Sequence, residues 1–191
     1  MIKNDIIEYI FDTKIDNIEN KIKYLLELVD EEFIPPLSSR EGTTQTKLSS
    51  YNKKIELDSY FKSMMNQVNI VMTLDDNLLG FVSFRDNHTV DLLEKYSPCN
   101  YLSTIAVNRE FRGEKIASNL YDFMIHEVTK KYPSKYLLTR TWSTNYKHIN
   151  LLNKLGFELV KSIKNQRGDG IDTVYYALKL DQTHLYSLSK F

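Results

Sequence analysis

Residues 101–120 constrain this chain more than any other stretch. The run Tyr-Leu-Ser-Thr-Ile-Ala-Val at 101–107 reads as a buried strand, and Ile116, Leu120, Phe123, Met124 and Val128 recur behind it at helical spacing. The helix is expected to open near Gly113 and to fade at Lys130 and Lys131, cations suited to a helix C-terminus. The turn and the first helical residues leave several backbone N–H groups with no intrahelical acceptor. These groups lie at the positive end of the helix dipole, where an anion is favoured. Gly113 permits an unusual backbone angle and a close ligand approach. Ala117 keeps the first turn slim, and Arg109, Arg112 and Lys115 add positive charge around one spot. The plainer alternative is a strand-to-helix turn with surface cations. A diphosphate would satisfy all these features together, and the flanking elements stand in the right order for it.

That local charge matters because the chain as a whole has none to spare. Its 25 Lys plus Arg balance 25 Asp plus Glu over 191 residues. A neutral chain has no bulk attraction to nucleic acid or to an anionic membrane, so neither partner is expected. The length suits one sizeable core. One cysteine, Cys99, rules out an intrachain disulfide, the N-terminus carries charges where a signal peptide needs an apolar run, and no stretch is apolar enough to span a bilayer. A cytoplasmic protein is expected. His88, His126, His148 and His184 have no metal-ligand spacing among themselves or with Cys99, so no metal is expected.

The other elements follow from periodicity. Ile18, Ile22, Leu25, Leu26, Val29 and Phe33 mark an amphipathic helix, with Asp16 and Glu19 as a capping box and Pro35-Pro36 as its end. Residues 37–54 read as a polar loop. Leu57, Tyr60, Phe61, Met64, Met65 and Val68 mark a second helix. Residues 70–74 and 78–84 form a hairpin around Asp75-Asp76-Asn77. Residues 90–96 make a helical turn or two. A strand at 135–141, a short helix at 145–155 stopped by Gly156, and a closing hairpin of 157–164 with 171–180 complete the chain. In the last strand Val174, Tyr176, Leu178 and Leu180 alternate with Tyr175, Ala177 and Lys179, which predicts one buried face. The order implies an α/β fold with a mixed sheet flanked by helices.

The turn at 112–117 resembles motif A of the GNAT acyl-CoA N-acyltransferases, Q/R-x-x-G-x-G/A after a buried strand, with Arg112 first and Ala117 last. Lys115 stands where glycine is usual. Asn145 and the run Leu151-Leu-Asn-Lys-Leu-Gly-Phe157 resemble the family's motif B helix. The resemblance covers residues 68–180. It implies one N-acetyltransferase domain over 1–191, with 1–67 as a helical acceptor-side portion, 68–180 as the acetyl-CoA-binding core, and a mostly antiparallel sheet.

By resemblance, the strand through Ile105, Ala106 and Val107 splays from its neighbour and offers unpaired backbone groups to the pantetheine arm of acetyl-CoA. One of its N–H groups would hold the acetyl carbonyl. Arg112, Gly113, Glu114, Lys115, Ile116, Ala117 and Ser118 would surround the pyrophosphate, and Asn145 and His148 would border the arm. A primary amine would attack the thioester directly in a ternary complex. A small-molecule acceptor is expected first. A protein or peptide acceptor, or a degenerate acyl-CoA-binding module, are the alternatives.

The position where many members carry a tyrosine acid is Leu152, so no phenol is available there. His148 lies one helical turn earlier on the same face. It either relays a proton, or packs against pantetheine, or is merely solvated. Tyr146 is a second candidate donor, on a different face. Arg140 and Trp142 end a strand beside the acceptor cleft and are read as acceptor contacts, with a surface ion pair and a core position as the alternatives. Asp172, in the 165–173 loop, is a candidate ligand for the acceptor amine, while the loop's glycines are read as making the hairpin turn. Glu31 and Glu32 read as a solvated helix end, and Cys99 as a small buried residue rather than a nucleophile. The many tyrosines and the exposed edge of the closing hairpin permit a homodimer.

Overall fold

The computed structural model describes residues 6–10, 12–40, 42–43 and 57–180. Most of the loop expected at 37–54 lies outside them. In chain order the elements are β1 (Ile6–Tyr9), α1 (Ile18–Val29), α2 (Leu57–Met65), β2 (Val68–Leu74), β3 (Asn77–His88), β4 (Cys99–Val107), α3 (Ile116–Phe123), α4 (Thr129–Lys131), β5 (Tyr136–Trp142), α5 (Tyr146–Lys154), β6 (Glu158–Ile163) and β7 (Thr173–Lys179). A π-helical stretch, Met124–Val128, joins α3 to α4. The seven strands form one sheet in the order β1-β2-β3-β4-β5-β7-β6. Only β4 and β5 run parallel; every other pair is antiparallel. This is the mixed sheet that the order of periodicities implies, and the mostly antiparallel one that the family resemblance implies.

Both faces of the sheet are covered. β2 sends Ile70 and Met72 into a core shared with Ile116, Leu120 and Leu152, and sends Val71 into a core under Ile22, Leu26 and Tyr60. The strand period of two and the helix stripes meet there. Ile22, Leu25, Leu26 and Val29 of α1 are each at most 3 % exposed. Each buried side chain of this kind contributes roughly 1.5–3 kcal/mol over leaving it in water, which holds α1 on the sheet without strong caps.

Four local expectations are corrected. Among the described residues a strand, β1, precedes α1 and pairs antiparallel to β2, where the periodicities showed only helices before the first hairpin; four residues give too short an alternation to read. α1 begins after Asn17, whose φ is 56° and whose side chain makes no cap hydrogen bond, so Asp16 and Glu19 form no capping box. The helix after the turn begins at Ile116 rather than near Gly113, because Gly113 (φ 95°) and Lys115 (φ 61°) are both left-handed. β7 is buried on both faces, with Val174, Tyr176 and Leu178 in one core and Tyr175 and Ala177 in another. It lies between β5 and β6, and alternation in sequence could not report that second cover.

Candidate active site

The parallel pair β4–β5 sets the site. Its register covers only Asn100↔Leu137, Tyr101↔Leu138 and Leu102↔Thr139. Beyond Leu102 the strands diverge, although β4 remains paired to β3 as far as Val107↔Gly80. The register with β3 shifts between Ser83 and Phe84, leaving Ser103 as the extra residue of a bulge on β4. A bulge bends its strand and increases its twist, here at the point of divergence. Ser103 Oγ lies 2.6 Å from Gln67 Oε1 and 3.2 Å from the carbonyl of Ser83, and its single proton is shared between these two acceptors, which holds the bend. The open wedge is a cavity of about 330 Å³ with Ile105, Ala106 and Val107 on one wall and Arg140, Thr141 and Trp142 on the other. Among the described residues the outer edge of β4 there has no strand partner.

At one mouth the chain leaves β4 through the turn Arg109–Phe111, capped by Asn108, whose side chain accepts from the Glu110 N–H at 3.2 Å. Gly80 lets α3 sit close above: a Cβ there would meet the Ala106 carbonyl at 2.8 Å and Ile116 Cγ2 at 3.0 Å. The first-turn N–H groups of α3 point out without intrahelical acceptors. Arg112 and Ala117 line the cavity, Ile116 is buried beneath it, and Gly113, Glu114 and Lys115 are exposed. Glu32 crosses this mouth. Its carboxylate takes Arg109 Nε and Arg112 Nη2, both at 2.6 Å. Burial works to raise the Glu32 carboxyl, but the hydrogen bonds and charges of Arg112 and Arg109 outweigh it and hold the group below its usual range. Glu32 is therefore not a merely solvated helix end. It also shows that the two guanidiniums converge on a single anion.

Along the wedge, His148 joins the lining from α5, whose N-cap Asn145 accepts from the His148 N–H at 3.4 Å and donates to Thr141 Oγ1 at 3.0 Å. His148 Nε2 lies 2.7 Å from the Tyr121 hydroxyl. Burial lowers the imidazole to about 4, so it is neutral at pH 7, and burial raises the Tyr121 phenol. Leu152 is fully buried in the core. Tyr146 is 68 % exposed and takes no part in the lining. The helix turns it away, which argues against a role at the acyl group.

The far end is built from distant segments. Arg140 and Trp142 line it, together with Arg40 and Arg167. Trp142 packs against Phe33 with ring centroids 5.8 Å apart, and the Arg167 guanidinium carbon lies over the Trp142 ring, 5.8 Å from its centroid. Arg40 donates from Nε and Nη2 to the Pro35 carbonyl (3.0 and 2.6 Å). Arg167 donates from Nε to Thr173 Oγ1 (3.0 Å) and from Nη1 to the Ile34 carbonyl. Sequence reasoning placed the 165–173 loop near the acceptor but passed over Arg167 itself; nothing in the local pattern set either Arg40 or Arg167 apart. Asp172 is absent from the lining: its carboxylate accepts from Ser162 Oγ (3.2 Å) and the Asn165 N–H (3.0 Å), which closes the β6–β7 turn. Cys99 lies outside the cavity, with its thiol pushed up to about 12 by burial.

The model of the Acetyltransferase (GNAT) family matches residues 25–157 of this chain. The chain belongs to the GNAT acetyltransferases. No curated protein sequence matches it. Among solved structures, an N-acetyltransferase from Staphylococcus aureus Mu50 is 19% identical at TM-score 0.63, over 93% of this chain and 99% of that one. A ribosomal-protein-alanine N-acetyltransferase from Brucella melitensis is 16% identical at TM-score 0.62, over 92% and 99%. An aminoglycoside 6'-N-acetyltransferase complexed with coenzyme A is 14% identical at TM-score 0.64, over 92% and 97%. At these identities the likeness is one of fold. Among the described residues this GNAT chain has no helix long and apolar enough to cross a membrane, and no group of three or more His, Cys, Asp or Glu placed to hold a metal.

Proposed function

We propose that the protein moves an acetyl group from acetyl-CoA to the primary amine of a small molecule, by direct attack in a ternary complex. One observation carries this reading. A single cavity is lined by Arg112 of the cationic turn, by the edge of β4 that leaves β5, by His148 and by Trp142. Two substrates would then meet in one wedge. Its volume of about 330 Å³ favours a small acceptor over a folded protein surface. The residues fit the donor. The point where Arg109 and Arg112 converge on the Glu32 carboxylate suits a diphosphate, with Lys115 and the first-turn N–H groups of Ile116, Ala117 and Ser118 around it. The backbone of Ile105, Ala106 and Val107 would pair with the pantetheine arm as an added strand.

Acetyl-CoA supplies an activated thioester to this site. The β4 edge orients it, and an N–H of that edge holds the acetyl oxygen as charge grows on it. The acceptor nitrogen bonds to the acetyl carbon and sheds one proton, while the carbon–sulfur bond breaks and the sulfur gains one. The neutral imidazole of His148 can donate a hydrogen bond to the leaving sulfur, while the proton that the sulfur gains is made good by the one the acceptor nitrogen sheds, through solvent. With the Tyr121 hydroxyl donating to Nε2, the proton of the ring resides on Nδ1. A base with a pKa near 4 would be too weak to deprotonate an alkyl ammonium efficiently. No cysteine acyl intermediate is expected, since Cys99 is buried away from the cavity with its thiol protonated.

Thermal unfolding with and without acetyl-CoA tests the first half of this reading, and release of free thiol across a panel of small amines and peptides tests the second. Initial-velocity plots that intersect support the ternary complex; parallel lines would overturn it. Turnover of peptides alone would replace the small acceptor with a protein one, and acetyl-CoA binding without turnover of any amine would leave a binding module.

A further inference from the structure

Two pairs of polar side chains meet at the wedge, one from each face of the sheet. His148 lines the cavity and bonds to Tyr121, on the face where Tyr121 and Leu152 are core residues. Tyr60 and Thr104 stand on the other face, with their hydroxyl oxygens 2.7 Å apart, and both line the cavity. Tyr60 comes from α2 and is 1 % exposed; Thr104 comes from β4 and is 3 % exposed. The bulge at Ser103 is what sends Thr104 to that face. Leu102 packs into the core with Ile116 and Leu120, and strict alternation would put Thr104 on the same side. The extra residue resets the alternation. Ile105 and Val107 then pack against the core of Ile116 and Leu120, Ala106 is buried in the core under α1 and α2, and Thr104 meets Tyr60. Thr104 also lies just past Leu102, the last residue of β4 paired to β5, so the hydroxyl pair sits where the wedge opens.

We propose that the Tyr60–Thr104 hydroxyl pair receives an N–H of the acceptor amine and so aims the nitrogen lone pair at the acetyl carbon. The proposal rests on the acetyl-transfer reading and deepens it. Two hydroxyls carry two protons and four lone pairs, and the bond between them uses one of each. Neither hydroxyl has a second hydrogen-bond partner among the described residues. The pair therefore keeps acceptor capacity toward the cavity, and a buried polar group is costly to leave short of partners. A neutral primary amine has two N–H groups to give and one lone pair for attack, so giving one N–H to the pair leaves the lone pair free. Nitrogen and sulfur occupy separate corners of the tetrahedral intermediate and need separate partners. His148 serves the sulfur from the face of α5, which leaves the Tyr60–Thr104 face for the nitrogen. Val29 and Phe33 line the cavity with Tyr60, all from the helical portion before β2. They give the carbon skeleton of an acceptor an apolar wall. The contact is a hydrogen bond only: the nitrogen still sheds its proton to solvent, and the gain is orientation.

Hydroxyl deletions test this. Thiol release from acetyl-CoA is measured with the fastest of ethanolamine, benzylamine and glycinamide. Tyr60→Phe is expected to lower kcat/KM for that amine roughly tenfold, the effect of one lost hydrogen bond, while the Kd for acetyl-CoA stays within about twofold. Thr104→Val should give a loss of the same order, and Thr104→Ser, which keeps the hydroxyl, should restore most of it. Because the two groups act as a unit, the double variant Tyr60→Phe with Thr104→Val should lose little more than either single one. Parental kcat/KM in Tyr60→Phe would overturn the proposal. So would an acetyl-CoA affinity that falls as far as turnover does, which would assign the pair to the donor, and so would equal losses in Thr104→Val and Thr104→Ser. A bond that only fastens α2 to β4 would lower the melting temperature and leave kcat/KM of the folded enzyme unchanged, which also overturns it. Should Tyr60→Phe fail to fold, the two Thr104 variants carry the same comparison. Failure of the parent to bind acetyl-CoA, or to turn over any of the three amines, would sink the acetyl-transfer reading and this proposal with it. Turnover by the parent with no loss in the variants would sink the hydroxyl pair alone.

Discussion

The two ends of the cavity handle positive charge in opposite ways. At the helix mouth, Arg109 and Arg112 are exposed and converge on a carboxylate, Glu32. At the far end, Arg40 and Arg167 are buried and bonded to neutral oxygens. The first arrangement suits an anion that arrives and leaves through solvent, with a built-in carboxylate as its competitor. The second is a fixed, desolvated field, in which a correctly placed anion gains more and a cation loses more. The two ends also differ in how the chain makes them. The mouth arises within one continuous strand–turn–helix. The far end joins residues as far apart as Ile34 and Arg167, 133 positions in sequence.

If the ends are separate devices, changing one should spare the other. The largest effect is expected from Arg112→Ala. Losing one charged hydrogen-bonding group should cost about 1.5–3 kcal/mol of donor binding, roughly a 10- to 100-fold rise in the KM for acetyl-CoA, with the acceptor KM nearly unchanged; equal rises in both would merge the two ends. His148 gives the next effect, on stability. Its folded pKa of about 4 lies below the ordinary value of about 6.5, so the unfolded chain binds the extra proton first. Stability from this group is present above about 6.5 and is lost as pH falls toward about 4, by an amount on the order of 3 kcal/mol. Denaturation of His148→Gln across that window should show a flatter pH dependence than the parent. A smaller effect is expected of Glu32→Gln. Removing the competing carboxylate should lower the KM for acetyl-CoA by a few-fold, with a weaker salt dependence than the parent; an increase would mean that Glu32 positions the arginines rather than competing for them. Tyr146→Phe should change kcat by less than about twofold at every pH, because the phenol is exposed and outside the lining.

The difference between the ends explains what could be read in advance. The mouth was legible because its parts are consecutive: a buried run, a glycine, three cations and a helix stripe. Even so, the position where the family usually has glycine holds Lys115 at φ 61°. The left-handed angle gives the physical reason for that usual glycine, since a side chain there costs about 1–2 kcal/mol. The start of α3 was misplaced by three residues for the same cause. Asp172 and Tyr146 were singled out because they are chemically capable, but capability does not fix direction. Asp172 closes its own turn, and Tyr146 faces outward. Arg140 and Trp142 were legible because a strand end beside the wedge must face it on one side. Arg40 and Arg167 had no such marker, since one follows a short turn and the other sits in a hairpin loop.

By itself the sequence determined the mixed sheet, the strand–turn–helix with its cations, and the helix that carries His148. These depend on periodicity, turn residues and local charge, which act between near neighbours. Only the tertiary structure decided where β4 and β5 part company, that Tyr121 stands behind His148, that Glu32 reaches across to the mouth, and that the far end is lined by Arg40, Arg140 and Arg167 from three segments. Those facts depend on long-range packing and on burial. The same side chain is a solvated surface cation in one fold and a fixed, desolvated charge in another, and sequence spacing carries no information about which.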